Sequence, residues 1–190
     1  ARTELAAFKL KNVDKTAAPG LSRLQQLAGD LHGSIMTFHQ NRPATVERSN
    51  LAFWALGYPR PYAEQFSRHS AANGLSDALV LSLAKAESSF RADVKSHAGA
   101  IGLMQMTNPE YNIRLGTKHL RELLNQYHQD TVYTLAAYNA GGGSVNRWRK
   151  AFGDLPRDEF VENIPYQETR DYVKKIVAYM GVYRSLYRIQ

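Results

Sequence analysis

The 190-residue sequence contains no cysteine, which excludes thiol catalysis, a disulfide framework and thiolate metal sites. The six histidines include no HExxH pair and no other close spacing typical of zinc ligands, so we expect no metal site. Glycine-rich nucleotide-binding motifs and the GxSxG nucleophile motif are also missing. We therefore expect no cofactor, and any catalysis must rest on oxygen- and nitrogen-bearing side chains.

Long apolar runs are missing as well. No stretch approaches the roughly 20 apolar residues that a membrane-spanning helix requires, so we expect no transmembrane segment. Nothing at Ala1 resembles a signal peptide, and we expect any export signal to have been removed or to lie outside this sequence. The composition, 44% hydrophobic and 22% charged, is that of a globular protein.

Basic residues exceed acidic residues by 24 to 17, which gives a formal net charge of +7. Such a charge favours binding to polyanions of some kind. However, the excess is spread along the chain, and no basic block typical of a nucleic-acid-binding arm occurs. An acidic glycan or cell-wall polymer suits this diffuse charge at least as well as a nucleic acid does.

Helical periodicity runs along nearly the whole sequence. Apolar residues recur at helical spacing, and no turn motif joins two β-branched runs, so we predict an all-α fold. The helices are predicted at about 19–39, 44–56, 60–73, 76–90, 111–128, 131–140, 143–151 and 165–187. Two prolines interrupt the pattern within residues 57–61. We place a domain boundary there, between an N-terminal helical segment (1–57) and a second domain (58–190).

The predicted helix at 76–90 carries an acidic residue of interest. Ser76 is a suitable N-cap, and at about 100° per residue Glu87 falls inside an apolar stripe, whereas Lys85 falls on the other side. Burial raises the pKa of a carboxyl group toward the value that a general acid near neutral pH requires. On the pattern alone, the structural interpretation is favoured, in which Glu87 is partly exposed or paired with Arg91, one turn later.

Four ordered motifs follow in the second domain. They are AESSFRADVKSHAGAIGLMQ at 86–105, NIRLGTKHL at 112–120, AAYNAG at 136–141 and IPYQETRDYV at 164–173. Together they resemble the lytic transglycosylase family that contains the soluble Slt-type enzymes of Gram-negative bacteria. The resemblance covers most of residues 58–190 and implies an all-α, lysozyme-like catalytic domain of the goose type.

The resemblance also implies the roles of individual residues. Glu87 would be the single catalytic acid and base of a peptidoglycan-cleaving enzyme, with Tyr138 opposite it and assisting. The residues implied to bind substrate are Ser96, Gly102, Leu103, Met104, Gln105, Asn139, Glu168 and Arg170. Most glycosidases use two carboxylates. A single carboxylate suffices if the substrate's N-acetyl group stabilises the anomeric carbon and its own 6-hydroxyl replaces water.

Several of these residues also have structural interpretations. Gly102, Leu103 and Met104 are more typical of a turn and a core filler than of a sugar contact. Asn139 lies close to three consecutive glycines and could belong to a helix C-terminal cap. Glu168 could instead stabilise the N-terminus of a helix that begins near Pro165. At helical spacing, the residues Tyr172, Val173, Ile176, Val177, Met180 and Tyr183 are expected to be core.

The sequence departs from the family pattern in two places. Thr107 runs directly into Asn108, where the family carries a further helix-bearing stretch, so we expect that a segment is missing at this junction. Three glycines at 141–143 replace the commoner Gly-Pro-Gly, which loosens the loop without removing a catalytic group. Residues 1–57 carry no motif and could be the remnant of a helical superstructure.

The expected function is that of a periplasmic peptidoglycan lytic transglycosylase, acting on glycan strands with peripheral association with the envelope. It would cleave the MurNAc–GlcNAc β-1,4 bond and form 1,6-anhydroMurNAc ends. A hydrolytic muramidase of the goose-lysozyme type would deliver water instead of the 6-hydroxyl. A peptidoglycan-binding module without catalysis is a third reading, whereas nucleic-acid binding rests on the net charge only.

Overall fold

The computed structural model describes residues 14–90 and 109–189, and within these ranges every regular element is helical, which confirms the all-α prediction. The α-helices of these ranges, in chain order, are α1 Ala18–Leu27, α2 Leu31–Asn41, α3 Leu51–Gly57, α4 Ala63–Ala72, α5 Asp77–Ser88, α6 Pro109–Gln126, α7 Thr131–Ala140, α8 Gly142–Phe152, α9 Arg157–Glu162 and α10 Gln167–Tyr187. A 3-10 turn, Arg48–Asn50, leads into α3. No helix among the described residues is long and apolar enough to cross a membrane.

The predicted helices match these elements best where a local cap fixes the end. Helix α7 coincides with the prediction, and Ser76 caps α5 as expected, because its side chain accepts a hydrogen bond from the Leu79 N–H. The single helix predicted at 19–39 is wrong. Gly29 has φ of 77°, which ends α1, and the Asp30 carboxylate then accepts from the Gly33 N–H to start α2.

The predicted domain boundary at 57–61 remains a prediction. Described side chains before and after this stretch belong to one continuous hydrophobic core. Tyr58, inside the stretch, is only 3% exposed. Its ring packs against Trp54 of α3 and against Tyr179 and Tyr183 of α10. The N-terminal helices therefore pack directly against the last helix of the chain.

Helix α5 lies at the centre of this core, where it packs chiefly against α10 and also against α4. Residues 78–85 of α5 are all buried, so the helix is covered on every face. Its end is fixed by Ser89 and Phe90, which both have positive φ. Phe90 is buried and its ring meets the Phe66 ring of α4 edge to face. The last turn of α5, which carries Glu87, is thus held in place by packing on both sides.

Candidate active site

Glu87 lies in the last turn of α5 and is half-buried. Its Oε1 accepts a hydrogen bond from the hydroxyl of Tyr172, with 2.5 Å between the two oxygens. Tyr172 is buried in the first half of α10, the helix that packs most extensively against α5. A short bond from a buried donor holds one carboxylate oxygen of Glu87 in a defined position.

Tyr138, near the end of α7, lies close enough to Glu87 to be affected by its charge. Burial, together with the negative charge of Glu87, raises the pKa of the Tyr138 hydroxyl. Burial is also the largest cause that raises the pKa of Tyr172, followed by the charge of Glu87 and the hydrogen bond to it. Both phenols therefore stay protonated at neutral pH and can act as hydrogen-bond donors beside the carboxylate. The structure thus brings the sequence-predicted pair of Glu87 and Tyr138 together.

Tyr172 is a candidate site residue that helical periodicity does not identify, because its spacing predicts a core position. The assignment is correct for the ring, which is buried, but not for the hydroxyl. A buried tyrosine hydroxyl needs a hydrogen-bond partner. That requirement, with the position of Tyr172 inside the IPYQETRDYV motif, is the signal that could have identified it.

His119 packs against Tyr138 at the protein surface. Its exposed imidazole ring on α6 lies 5.3 Å from the Tyr138 ring, centroid to centroid, at a tilt of 50°. The imidazole Nδ1 lies 3.8 Å from a carboxylate oxygen of Glu122. Tyr138 therefore lies close to both Glu87 and the exposed imidazole ring of His119.

Asn139 follows Tyr138 and has a different environment. Its Oδ1 accepts a hydrogen bond of 2.5 Å from the hydroxyl of Thr169, which is buried in the first turn of α10. The C-terminal cap of α7 is provided by Gly141, whose backbone N–H donates to the Ala137 carbonyl. The described side-chain contact of Asn139 thus ties α7 to α10, and its part in the C-terminal cap stays a prediction.

Glu168 and Arg170 lie at the start of α10, on either side of Thr169. Glu168 is exposed in the first turn, where a negative charge favours the helix N-terminus. Arg170 donates through Nη1 to the carbonyl oxygens of Glu162 and Ile164, at 3.1 and 3.3 Å. These contacts hold the turn between α9 and α10, whereas none of the described hydrogen bonds of Arg170 goes to Glu87.

The remaining predicted site residues fall outside the described ranges. They are Ser96, Gly102, Leu103, Met104 and Gln105, together with Arg91 and the Thr107–Asn108 junction. Among the described residues, no group of three or more His, Asp or Glu side chains could hold a metal ion. The described part of the candidate site consists of the Glu87 carboxyl group and the phenols of Tyr138 and Tyr172.

Sequence comparisons relate this chain to lytic transglycosylases. The profile of the Transglycosylase SLT domain family matches residues 64–108 and 105–161, more than half of the chain. The profile of the soluble lytic transglycosylase helical domain matches residues 163–190. The soluble lytic murein transglycosylase of Salmonella typhimurium is 33% identical over 151 residues, which cover 67% of this chain and 23% of the relative. The chain thus spans about a quarter of the length of that relative.

Solved structures agree with these matches. The structure of an inactive Glu-to-Gln mutant of the lytic transglycosylase Slt from Pseudomonas aeruginosa superposes with a TM-score of 0.79 at 25% identity, covering 93% of this chain and 31% of that one. The 70 kDa soluble lytic transglycosylase of Escherichia coli gives a TM-score of 0.81 at 28% identity, over 97% and 32% of the two chains. With its helical fold, its ordered motifs and the matching family profile, this chain belongs to the Transglycosylase SLT domain family.

Proposed function

We propose that this chain is the catalytic part of a peptidoglycan lytic transglycosylase. It would cleave the β-1,4 bond between MurNAc and GlcNAc and leave a 1,6-anhydroMurNAc end. The observation that carries the proposal is the half-buried Glu87, held at one oxygen by the Tyr172 hydroxyl and flanked by Tyr138. The name of the Salmonella relative supports the proposal, since it describes a transglycosylase that acts on murein. So does the inactive Pseudomonas mutant, whose lesion is a Glu-to-Gln change.

In the first step, Glu87 acts as the general acid. Tyr172 donates to Oε1, so Oε2 is the oxygen left to carry the proton toward the substrate. The proton passes from Glu87 to the glycosidic oxygen as the bond between that oxygen and the anomeric carbon breaks. The hydrogen bond from Tyr172 is strongest when Glu87 is a carboxylate, and it therefore stabilises the charge that forms in this step.

In the second step, the same carboxylate acts as the base. The 6-hydroxyl of the MurNAc ring attacks the anomeric carbon, and its proton returns to Glu87 as the new bond forms. The N-acetyl carbonyl of the same sugar stabilises the anomeric carbon between the two steps. No water is consumed, so a second protein carboxylate is not needed for its activation. Tyr138 donates a hydrogen bond near the reacting centre and presents its ring to the sugar.

The substrate-binding roles of Ser96, Gln105 and the turn at 102–104 are part of this proposal. Asn139 would contribute to substrate binding through the part of its amide that Thr169 does not occupy. The backbone contacts of Arg170 favour a structural role for that residue over a direct sugar contact. We further propose that the protein acts in the periplasm, where its net charge of +7 favours the anionic cell wall.

Mass spectrometry of the muropeptides released from purified sacculi tests this function. The wild-type chain should release products lighter by one water than hydrolytic ones, and Glu87→Gln should release none. Products with ordinary reducing ends would instead identify a muramidase. Binding to sacculi without any released product would identify a binding module.

A further inference from the structure

Lys85 is a buried amine that the mechanism above does not use. It lies on α5, two residues before Glu87, and is only 2% exposed. The helical pattern had placed Lys85 on the side of α5 away from the apolar stripe. That side is covered as well, by α2, by the stretch at 57–61 and by α10. Burial of a lysine is costly unless its amine finds polar or aromatic partners, so its described surroundings need an explanation.

Three rings from three parts of the chain surround the Lys85 amine. Its Nζ lies 3.0 Å from Nε2 of His39 on α2, 4.8 Å from the ring centre of Tyr58 and 4.7 Å from that of Tyr179 on α10. The charged amine has donors only, so His39 Nε2 must accept its hydrogen bond. The His39 and Tyr179 rings are stacked, and Tyr58 meets Tyr179 edge to face. We call His39, Tyr58 and Tyr179 the aromatic cage.

The charged groups that act on the cage are cationic. Burial, followed by the charge of Lys175 on α10, lowers the pKa of Lys85 to about 7. Burial, Lys85 and Arg42 lower the pKa of His39 to about 4. Burial raises the pKa of Tyr58 and Tyr179, and Arg42 opposes both shifts. No carboxylate appears among the described groups that act on Lys85. Two aromatic faces and one imidazole nitrogen therefore hold its charge.

The cage is linked to Glu87 through the α5–α10 pair. Lys85 and Glu87 leave α5 on opposite flanks, roughly 160° apart around the helix. Both nevertheless contact α10, Lys85 through Tyr179 and Glu87 through Tyr172. Those two tyrosines are seven residues apart, which is two turns or about 10 Å along α10. Two contacts on opposite flanks fix both the rotation of α5 about its axis and its position along α10.

From this geometry we propose that Lys85 is a positioning residue for Glu87. The contacts of the Lys85 amine with the aromatic cage fix α5 against α10 and thereby aim Glu87 at Tyr172. A change in the protonation of the amine alters these contacts, and the position of Glu87 alters with them. The consequence for turnover rests on the function proposed above, whereas the link between Lys85 and Glu87 does not.

Titration by NMR tests this link without any substrate. The Lys85 13Cε signal, assigned by its absence in Lys85→Met, should titrate near the neutral value given above rather than near the ordinary lysine value. The Glu87 13Cδ signal should show an inflection at that same midpoint, because its hydrogen bond to Tyr172 changes there. That inflection should be absent in Lys85→Met. A Lys85 midpoint near 10, or a Glu87 signal that does not respond at the Lys85 midpoint, would overturn the proposal.

Turnover of sacculi gives the second readout. At about pH 6, Lys85→Met should lower the maximal rate by about fivefold and leave the half-saturating sacculus concentration within about twofold, as expected when positioning is lost. The wild-type rate should also change at the pH at which Lys85 loses its proton. Lys85→Arg, which stays charged, should remove this change. Unchanged rates in Lys85→Met would contradict the positioning role.

Matched controls separate the outcomes. Lys150→Met removes an exposed lysine of α8 and should change neither the rate nor its pH dependence. If Lys85→Met does not fold, the Glu87 titration in the wild-type protein decides the question. If the wild-type protein releases no product at any pH, the proposed function fails, while the same titration still supports or overturns the positioning role.

Discussion

Lys85 and Glu87 lie two residues apart on one helix, yet their surroundings differ in almost every respect. Lys85 is sealed from solvent by rings from three parts of the chain. Glu87 is half-buried, with a phenol hydrogen bond on one oxygen. A fully sealed ionisable group cannot meet a polymer substrate, whereas a half-buried one can. On the two proposals above, one flank of α5 would serve the reaction and the other would serve the placement of Glu87.

The largest expected effect comes from removing the acid on the open flank. Glu87→Gln keeps the size of the side chain and can still accept from Tyr172, so we expect the fold to be preserved. The amide cannot donate or take up a proton in the reaction, and turnover should fall by about a thousandfold or more. Release of anhydromuropeptides from sacculi measures turnover, and circular dichroism checks the fold. Full activity in this variant would exclude Glu87 as the acid.

On the sealed flank, Lys85→Met should change stability rather than remove a reacting group. Since the pKa of Lys85 is lowered to about 7 in the folded protein, the unfolded chain binds the extra proton between that value and 10.5. The buried charge therefore lowers the free energy of unfolding by its full amount below about pH 7. This loss disappears above the pKa of Lys85 in the unfolded chain, 10.5. At about pH 6 the variant should be more stable than the wild type by about 2 to 3 kcal/mol, below the full linkage value because Lys85→Met also removes the hydrogen bond to His39 Nε2.

Urea denaturation of both proteins at about pH 6 and about pH 10 measures this effect. The advantage of Lys85→Met should shrink at the higher pH, because the wild-type lysine is then neutral in the folded state. Other groups titrate in both proteins, and their contributions cancel in the comparison. An advantage of equal size at both pH values would contradict the lowered pKa of Lys85.

A smaller effect is expected from the phenol that holds the acid. Tyr172→Phe removes only the hydroxyl that donates to Glu87, and we expect turnover to fall by about ten- to thirtyfold, which corresponds to about 1.4 to 2 kcal/mol. The half-saturating concentration of sacculi should change little. Tyr133→Phe is the matched control, since it removes a buried hydroxyl that donates to the Gly153 carbonyl. If both variants lost the same amount of turnover, the role of Tyr172 would be structural only.

The sequence predicts the surroundings of Glu87 better than the surroundings of Lys85. Helical spacing and local caps were sufficient to place α7, the Ser76 cap and the candidate acid, because these features depend on neighbouring residues. Lys85 was assigned to the outer side because the helical pattern assumes one buried face, whereas α5 is covered all round by helices distant in sequence. Val177 differs in the opposite direction, since its spacing predicts a core position and it is 47% exposed.

Tyr172 shows a second limit of the sequence. Periodicity places its ring in the core correctly, but it says nothing about the direction of the hydroxyl. That direction depends on where α10 crosses α5, which is a tertiary property. The motif predicted Tyr138 near Glu87 through the family resemblance, and no argument from spacing could have supplied that pairing.

The smallest expected effect concerns the contact between the end of α7 and the start of α10. Thr169→Val removes the hydroxyl that donates to Asn139 Oδ1 and should lower the free energy of unfolding by about 1 kcal/mol, because a half-buried acceptor loses its partner. Thr134→Val is the matched control on α7. The Thr134 hydroxyl is buried and finds no hydrogen-bond partner among the described residues, so its removal should be neutral or stabilising. Urea denaturation distinguishes the two variants. Equal losses would mean that the Thr169 hydroxyl contributes nothing specific to the contact between α7 and α10, which would then rest on the packing of the two helices.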